Sequence, residues 1–135
     1  MKLDHLGVAV RSLDEAIGAY QALGLAVVHR EVVESDGVEI AFLPFDGGRF
    51  ELLEPTGEAS PVARFIERRG PGLHHVAVAV SDIRQSLGDL KARGLRVIDN
   101  EPRPGANGSM VAFVHPASTG GVLLELVQPG EHVGE

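Results

Sequence analysis

Two histidines and two glutamates stand at matching places in the two halves of this chain. His5 lies near the start of the alternating stretch DHLGVAV (4–10), and His75 opens HVAVAV (75–80). Glu51 interrupts the apolar run Phe50-Glu51-Leu52, and Glu125 interrupts Leu124-Glu125-Leu126. A charge in a buried strand is costly unless it is paired or coordinates a cation. Imidazole nitrogens and carboxylate oxygens together suit Co²⁺, Mn²⁺, Ni²⁺, Fe²⁺, Zn²⁺ or Mg²⁺ and do not choose among them. His5, Glu51, His75 and Glu125 are therefore the candidate ligands of one divalent ion per chain. A lone histidine near a strand start is usually structural, and a lone glutamate on an edge strand usually points to solvent. Their recurrence in register is what lifts both above that reading. On each histidine strand the same face carries small residues, Gly7 and Ala9 in one half, Ala77 and Ala79 in the other, which leaves a hollow beside the polar group. Strand alternation turns His74 away from His75. His115, before Pro116, ends a strand, and His29 and His132 carry no signal.

Those four residues are positioned by a repeat. Asp4–Val28 aligns with His74–Ile98 at an offset of 70 residues, with identities at His5/His75, Val8/Val78, Ala9/Ala79, Val10/Val80, Gly18/Gly88, Gly24/Gly94 and Leu25/Leu95. The offset then drifts to 74, where Glu51-Leu52 meets Glu125-Leu126. Each half reads as βαβββ. Leu6, Val8 and Val10 alternate as a strand does. Ser12-Leu13-Asp14-Glu15 is a capping box, and Gly24 sits where a left-handed cap closes a helix. Strands are expected over Leu25–Glu31, Val38–Pro44 and Arg49–Glu54, with a turn at Asp36-Gly37. The second half predicts a strand over Leu73–Val80, a helix over about Asp82–Arg93, and strands near Leu95–Asp99, Ser109–His115 and Val122–Val127. Between them, Ser60-Pro61 and Arg68-Arg69-Gly70 bracket a short linking helix. The organisation is α+β: module 1 over about 1–57, the linker helix over about 60–69 and module 2 over about 72–129. The acidic tail Glu131–Glu135 is expected to fray.

Bulk composition narrows the function classes. The 135 residues are 44% apolar and 23% charged, as in ordinary globular domains. A net charge of −7 argues against binding a nucleic-acid backbone through a broad basic field. Tryptophan is absent and tyrosine occurs once, so no base-stacking platform is in view. Cysteine is absent, which excludes disulfides and thiolate metal sites. No apolar run reaches a membrane span and no signal-peptide pattern opens the chain, so the expectation is a cytoplasmic protein.

The paired modules, with His, Glu, His and Glu at these points, resemble the vicinal oxygen chelate, or glyoxalase-like, superfamily. The longer stretches FLPFDGGRFELLEPTGEASPVARFIERRGPGLHHVAVAV, DNEPRPGANGSMVAFVHP and STGGVLLELVQP resemble the methylmalonyl-CoA epimerases within it. The resemblance covers nearly the whole chain. It implies that the modules pair as a curved, partly open mixed sheet around a metal ion held by His5, Glu51, His75 and Glu125. Some members carry glutamine at the Glu51 position, and either residue supplies an oxygen. The implied reaction interconverts (R)- and (S)-methylmalonyl-CoA, an acyl-CoA of propionate metabolism, through removal of the C2 proton. A homodimer is also implied.

Epimerisation needs a proton to leave one face of C2 and arrive at the other. Glu125 is the first candidate base. Some epimerases place a glutamate three residues after the glycine that opens the third strand. Here that position is Ile40, and Glu39 precedes it. A one-residue step reverses the face, so Glu39 serves only if a bulge rephases the strand. A bound water or Glu51 is the other route to a second proton carrier. The loop Arg103-Pro104-Gly105-Ala106-Asn107-Gly108-Ser109 offers amides for the substrate carboxylate or thioester. Arg103, Arg64, Arg68 and Arg69 are candidate partners of CoA phosphates. Other readings are a glyoxalase-like lyase or isomerase, a ring-cleaving dioxygenase, and a metal-free small-molecule binding protein. Four metal-binding residue types at the four equivalent points count against the last.

Overall fold

A computed structural model of the chain describes residues 1–130, and the tail Glu131–Glu135 lies outside the described residues. The chain divides into two compact units. One comprises residues 5–74; the other comprises residues 1–4 and the chain from 75 onward.

In the first unit the strands run β2-β3-β4-β1. β1 (Lys2–Ala9) pairs in parallel with β4 (Gly48–Pro55), which pairs antiparallel with β3 (Val38–Phe45), and β3 with β2 (His29–Val33). Helix α1 (Leu13–Ala22) starts at Ser12, whose Oγ accepts the Glu15 amide, as the capping box predicts. Leu13 and Ile17 of α1 pack on Ala41, Leu43 and Leu52 of the sheet. A leucine as fully buried as Leu13 or Leu52 contributes roughly 1.5–3 kcal/mol from its apolar area. Alternation along β4 follows at once: Leu52 enters the helix-side core, so its neighbour Glu51 faces the other way.

Gly37 closes the β2–β3 connection at φ +63°, and a Cβ there would meet the Ser60 Cβ at 3.0 Å. Both facts require glycine. Ser60 caps α2 (Pro61–Arg69) by accepting the Val62 amide at 3.1 Å. Val62 and Ile66 of α2 are buried, and Phe65 meets His74 edge-on, centroids 4.9 Å apart.

The second unit repeats the plan with strands β5-β8-β7-β6. β5 (Gly72–Ala79, within this unit from His75) pairs in parallel with β8 (Leu124–Gln128), β8 antiparallel with β7 (Met110–Val114), and β7 with β6 (Arg103–Pro104). Helix α3 (Ile83–Ala92) is capped by Asp82, whose Oδ1 accepts the Gln85 amide at 3.1 Å, and packs Ile83 and Leu87 against Ala112, Val114 and Leu126.

Three expectations need correction. Leu25–Val28 is not strand; β2 begins only at His29, although the Val28 amide already donates to Phe42 O at 3.0 Å. Leu95–Asp99 is not strand either, and only an isolated bridge joins Val97 to Val114. The reason is a side chain: Asp99 Oδ2 accepts the Phe113 amide at 2.8 Å, taking the donor that a strand carbonyl would have used. The chain regains the sheet at Arg103–Pro104, within a stretch expected to be loop. Among the described residues no helix is long and apolar enough to cross a membrane.

Candidate functional site

Each unit builds the same small cluster. Gly7 lies in register with Glu51 across β1 and β4, and Ala77 with Glu125 across β5 and β8. The histidine stands two residues before the small residue, on the same face of the strand. His5 Nδ1 lies 3.1 Å from Glu51 Oε2, and His75 Nε2 lies 3.2 Å from Glu125 Oε1. The four residues are 4%, 3%, 6% and 7% exposed in the order His5, Glu51, His75, Glu125, which is rare burial for carboxylates. Two adjacent donors that each sit about 2.1 Å from a common ion are about 3 Å apart. In each unit the imidazole and carboxylate have that separation, together with the burial and donor chemistry a divalent ion requires.

The glutamates also share their outer neighbours. Phe42 is in register with Glu51, and Phe113 with Glu125. An arginine lies over each ring: Arg49 Cζ is 5.3 Å from the Phe42 centroid and Arg103 Cζ 5.6 Å from that of Phe113. Arg49 donates to Glu51 Oε2 from Nε at 2.8 Å and from its terminal nitrogen at 2.7 Å. Arg103 Nε donates to Asp99 Oδ1 at 3.2 Å. The Phe113 ring also meets His75 edge-on at 5.6 Å.

A further pair of side chains escaped the sequence reading. Glu54 Oε1 accepts the Leu13 amide at 2.7 Å, and Gln128 Oε1 accepts the Ile83 amide at 3.0 Å. Each sits three residues after the cluster glutamate and ties a helix N-terminus to the strand that carries it. The signal was available, since Glu54 and Gln128 are separated by the same 74 residues as Glu51 and Glu125.

Glu39 does not join the cluster. The β3–β4 ladder runs unbroken from Val38↔Pro55 to Phe45↔Gly48, so the bulge that Glu39 required is missing from it. Glu39 pairs with Glu54 on the α1 face and accepts from Arg30 Nε at 3.2 Å. A hydrogen bond to Asp14, with further help from Glu39, holds the Arg30 guanidinium above its usual range. Ile40 occupies the Glu51 face instead.

The 103–109 loop folds on itself. The Gly105 amide donates to Ser109 O at 2.9 Å, the Ser109 amide to Ala106 O at 3.1 Å, and Ser109 Oγ to Ala106 O at 2.7 Å. Two of the amides expected to face substrate are thus spent inside the loop, and Asn107 adopts φ +56° between Ala106 and Gly108. Arg64, Arg68 and Arg69 are exposed on α2, with Arg69 Cζ 5.9 Å from the Phe65 ring centroid. His115 caps a 3₁₀ turn by accepting the Ala117 amide at 3.0 Å.

Residues 4–113 match the family model described as the glyoxalase/bleomycin resistance protein/dioxygenase superfamily. The chain belongs to that superfamily. Within the superfamily it is similar to the uncharacterized Bacillus subtilis protein YqjC, at 43% identity over 95% of this chain and 92% of the relative. It is 38% identical to the ethylmalonyl-CoA/methylmalonyl-CoA epimerase of Cereibacter sphaeroides, over 94% of this chain and 97% of that one. Among solved structures, a variant of Streptomyces coelicolor methylmalonyl-CoA epimerase in complex with 2-nitronate-propionyl-CoA superposes with a TM-score of 0.94 at 37% identity, covering 97% of this chain and 96% of the other.

Proposed function

We propose that this superfamily member is a methylmalonyl-CoA epimerase whose His5, Glu51, His75 and Glu125 hold one divalent ion. One observation carries the reading: a buried histidine–glutamate pair recurs at equivalent strand positions, 3.1 and 3.2 Å apart, in a chain whose relatives include epimerases of this substrate. Co²⁺, Mn²⁺, Ni²⁺, Zn²⁺ and Mg²⁺ all suit the donors.

The hydrogen on C2 lies between a thioester carbonyl and a carboxylate, so its removal gives an enolate. A divalent ion in the site supplies positive charge where the enolate oxygen becomes negative. The two imidazoles hold the ion without adding charge. The residues that share their strand faces, Gly7 and Ala9 on β1 and Ala77 and Ala79 on β5, are small. Glu51 Oε2 is engaged by Arg49 and His5, which suits a fixed ligand. Glu125 takes the role of base: its carboxylate accepts the C2 proton, and the C–H electron pair passes into the enolate. A second proton carrier, a bound water or Glu51, then gives its proton to the opposite face of C2 as the enolate electron pair forms the new C–H bond. Arg103 and the left-handed Asn107 are the members of the 103–109 loop assigned to the acyl-CoA. The working form is a cytoplasmic homodimer.

The test is incubation with a single epimer of methylmalonyl-CoA in D₂O, with and without chelator. Deuterium uptake at C2 with loss of stereochemical purity, abolished by chelator and restored by added ion, is the expected outcome. No uptake by ion-loaded protein overturns the proposal.

A further inference from the structure

The two carboxylate oxygens of Asp99 have different partners. Oδ2 accepts the Phe113 amide at 2.8 Å, and Oδ1 accepts from Arg103 Nε at 3.2 Å. The Phe113 carbonyl accepts the Ile98 amide at 2.8 Å, so one short segment grips both backbone groups of Phe113. β6 is only two residues long, and Pro104 donates no amide to the ladder, so strand pairing alone holds Arg103 weakly. Arg103 is in register with Val111, two residues before Phe113, and its side chain therefore shares the face of Phe113 and Glu125. On that face its Cζ lies 5.6 Å from the Phe113 centroid, and the same ring meets His75 edge-on. A guanidinium carries five N–H donors in a rigid fork, so a partner at Nε fixes the plane in which the others lie. The Asp99 side chain is 17% exposed and that of Arg103 30%, so water screens this contact less than a fully exposed ion pair.

We propose that Asp99 is a positioning residue that aims Arg103 at the carboxylate on C2 of the substrate, so that Arg103 selects acyl-CoA molecules with a negative charge at that carbon. The inference rests on the epimerase reading above. The strand face decides which anion is meant. Methylmalonyl-CoA is anionic at both ends, with the carboxylate on C2 at one and the phosphates beyond the pantetheine arm at the other. Arg103 shares its face with Glu125, the base assigned to C2, and lies over the ring that meets His75. It therefore stands at the reacting end, where the anion is a carboxylate, and a planar fork suits that group. Asparagine has the shape of Asp99 but a single acceptor oxygen. With that oxygen on the Phe113 amide, its NH2 group faces the Arg103 Nε–H, donor against donor. An aspartate whose only task was to satisfy the Phe113 amide would affect every acyl-CoA alike.

The experiment is calorimetric titration of ion-loaded protein with methylmalonyl-CoA and, separately, with propionyl-CoA, which has the same CoA portion and no carboxylate on C2. Circular dichroism is the check on folding. Asp99→Asn should weaken methylmalonyl-CoA binding at least about fivefold and leave propionyl-CoA within about twofold. Arg103→Met should show the same split. Asp99→Asn added to Arg103→Met should cost no more than about twofold further, because Asp99 acts through Arg103. Asp99→Ser serves as a second variant if Asp99→Asn fails to fold. Three results would overturn the role of Asp99 while leaving the epimerase reading standing: unchanged methylmalonyl-CoA binding in a folded Asp99 variant, equal weakening of both ligands, as a phosphate partner of Arg103 would give, or a full second loss in the Arg103→Met background. Failure of the unaltered protein to bind methylmalonyl-CoA overturns the epimerase reading and the role of Asp99 together.

Discussion

The Glu54 carboxylate accepts the backbone amide of Leu13 at 2.7 Å, so the first turn of α1 is fastened to β4 three residues beyond Glu51. Ser12 caps the same helix from within. The second unit makes the same fastening with a neutral amide, Gln128 to Ile83. A helix amide is therefore satisfied by a strand side chain in both units, and the acceptor oxygen matters more than the charge. Glu54→Gln is expected to keep stability within about 0.5 kcal/mol, and Glu54→Ala to lose about 1 kcal/mol. Equilibrium denaturation measures both, and equal losses would show that the carboxylate charge is what α1 needs.

Glu125 is assigned the proton at C2. Glu125→Gln keeps an oxygen at the same place but removes the base. C2 deuterium exchange should fall about 10²–10⁴-fold, with a much smaller change in CoA binding. Exchange at the unaltered rate would take the role away from Glu125.

Glu39 lies on the α1 side of β3 and pairs with Arg30. Glu39→Gln should leave the epimerisation rate within about twofold, because exposed ion pairs of this kind are worth little and the residue faces away from Glu51. A loss beyond tenfold would place Glu39 in the chemistry after all.

Gly105 has an extended backbone that any residue adopts, so its constraint is steric. A Cβ there would stand 2.7 Å from Val111 Cγ1 and 2.9 Å from Ser109 Oγ. Gly105→Ala should cost about 1–3 kcal/mol by forcing the 103–109 loop off β7. If that loop meets the acyl-CoA, KM rises more than kcat falls. Unchanged stability and unchanged KM would contradict both the packing and the proposed contact.

The candidate site was legible where two periods crossed. Alternation placed His5 with Gly7 and Ala9, and the repeat placed His75 with Ala77 and Ala79. A glutamate inside an apolar run marked the face turned from the helix core. Ser12, Ser60 and the glycines that end each helix carried enough local chemistry to fix α1, α2 and α3 within a residue or two. What failed were the edges. Leu25–Val28 and Leu95–Asp99 have strand-like composition, but an edge strand exists only if its partner's donors remain for it, and Asp99 had already taken that of Phe113. Arg49 was missed although it stands at i−2 from Glu51. Sequence spacing shows that two residues share a face but not that one will bond the other.

The central claim is that the two histidine–glutamate pairs serve a single ion. Elemental analysis of dialysed protein, with calorimetric stoichiometry, tests it most directly. The account predicts one equivalent of divalent ion per chain, lost when either pair is dismantled, in His5→Ala and in His75→Ala alike. Two equivalents per chain, or one equivalent that survives removal of either histidine, would contradict it.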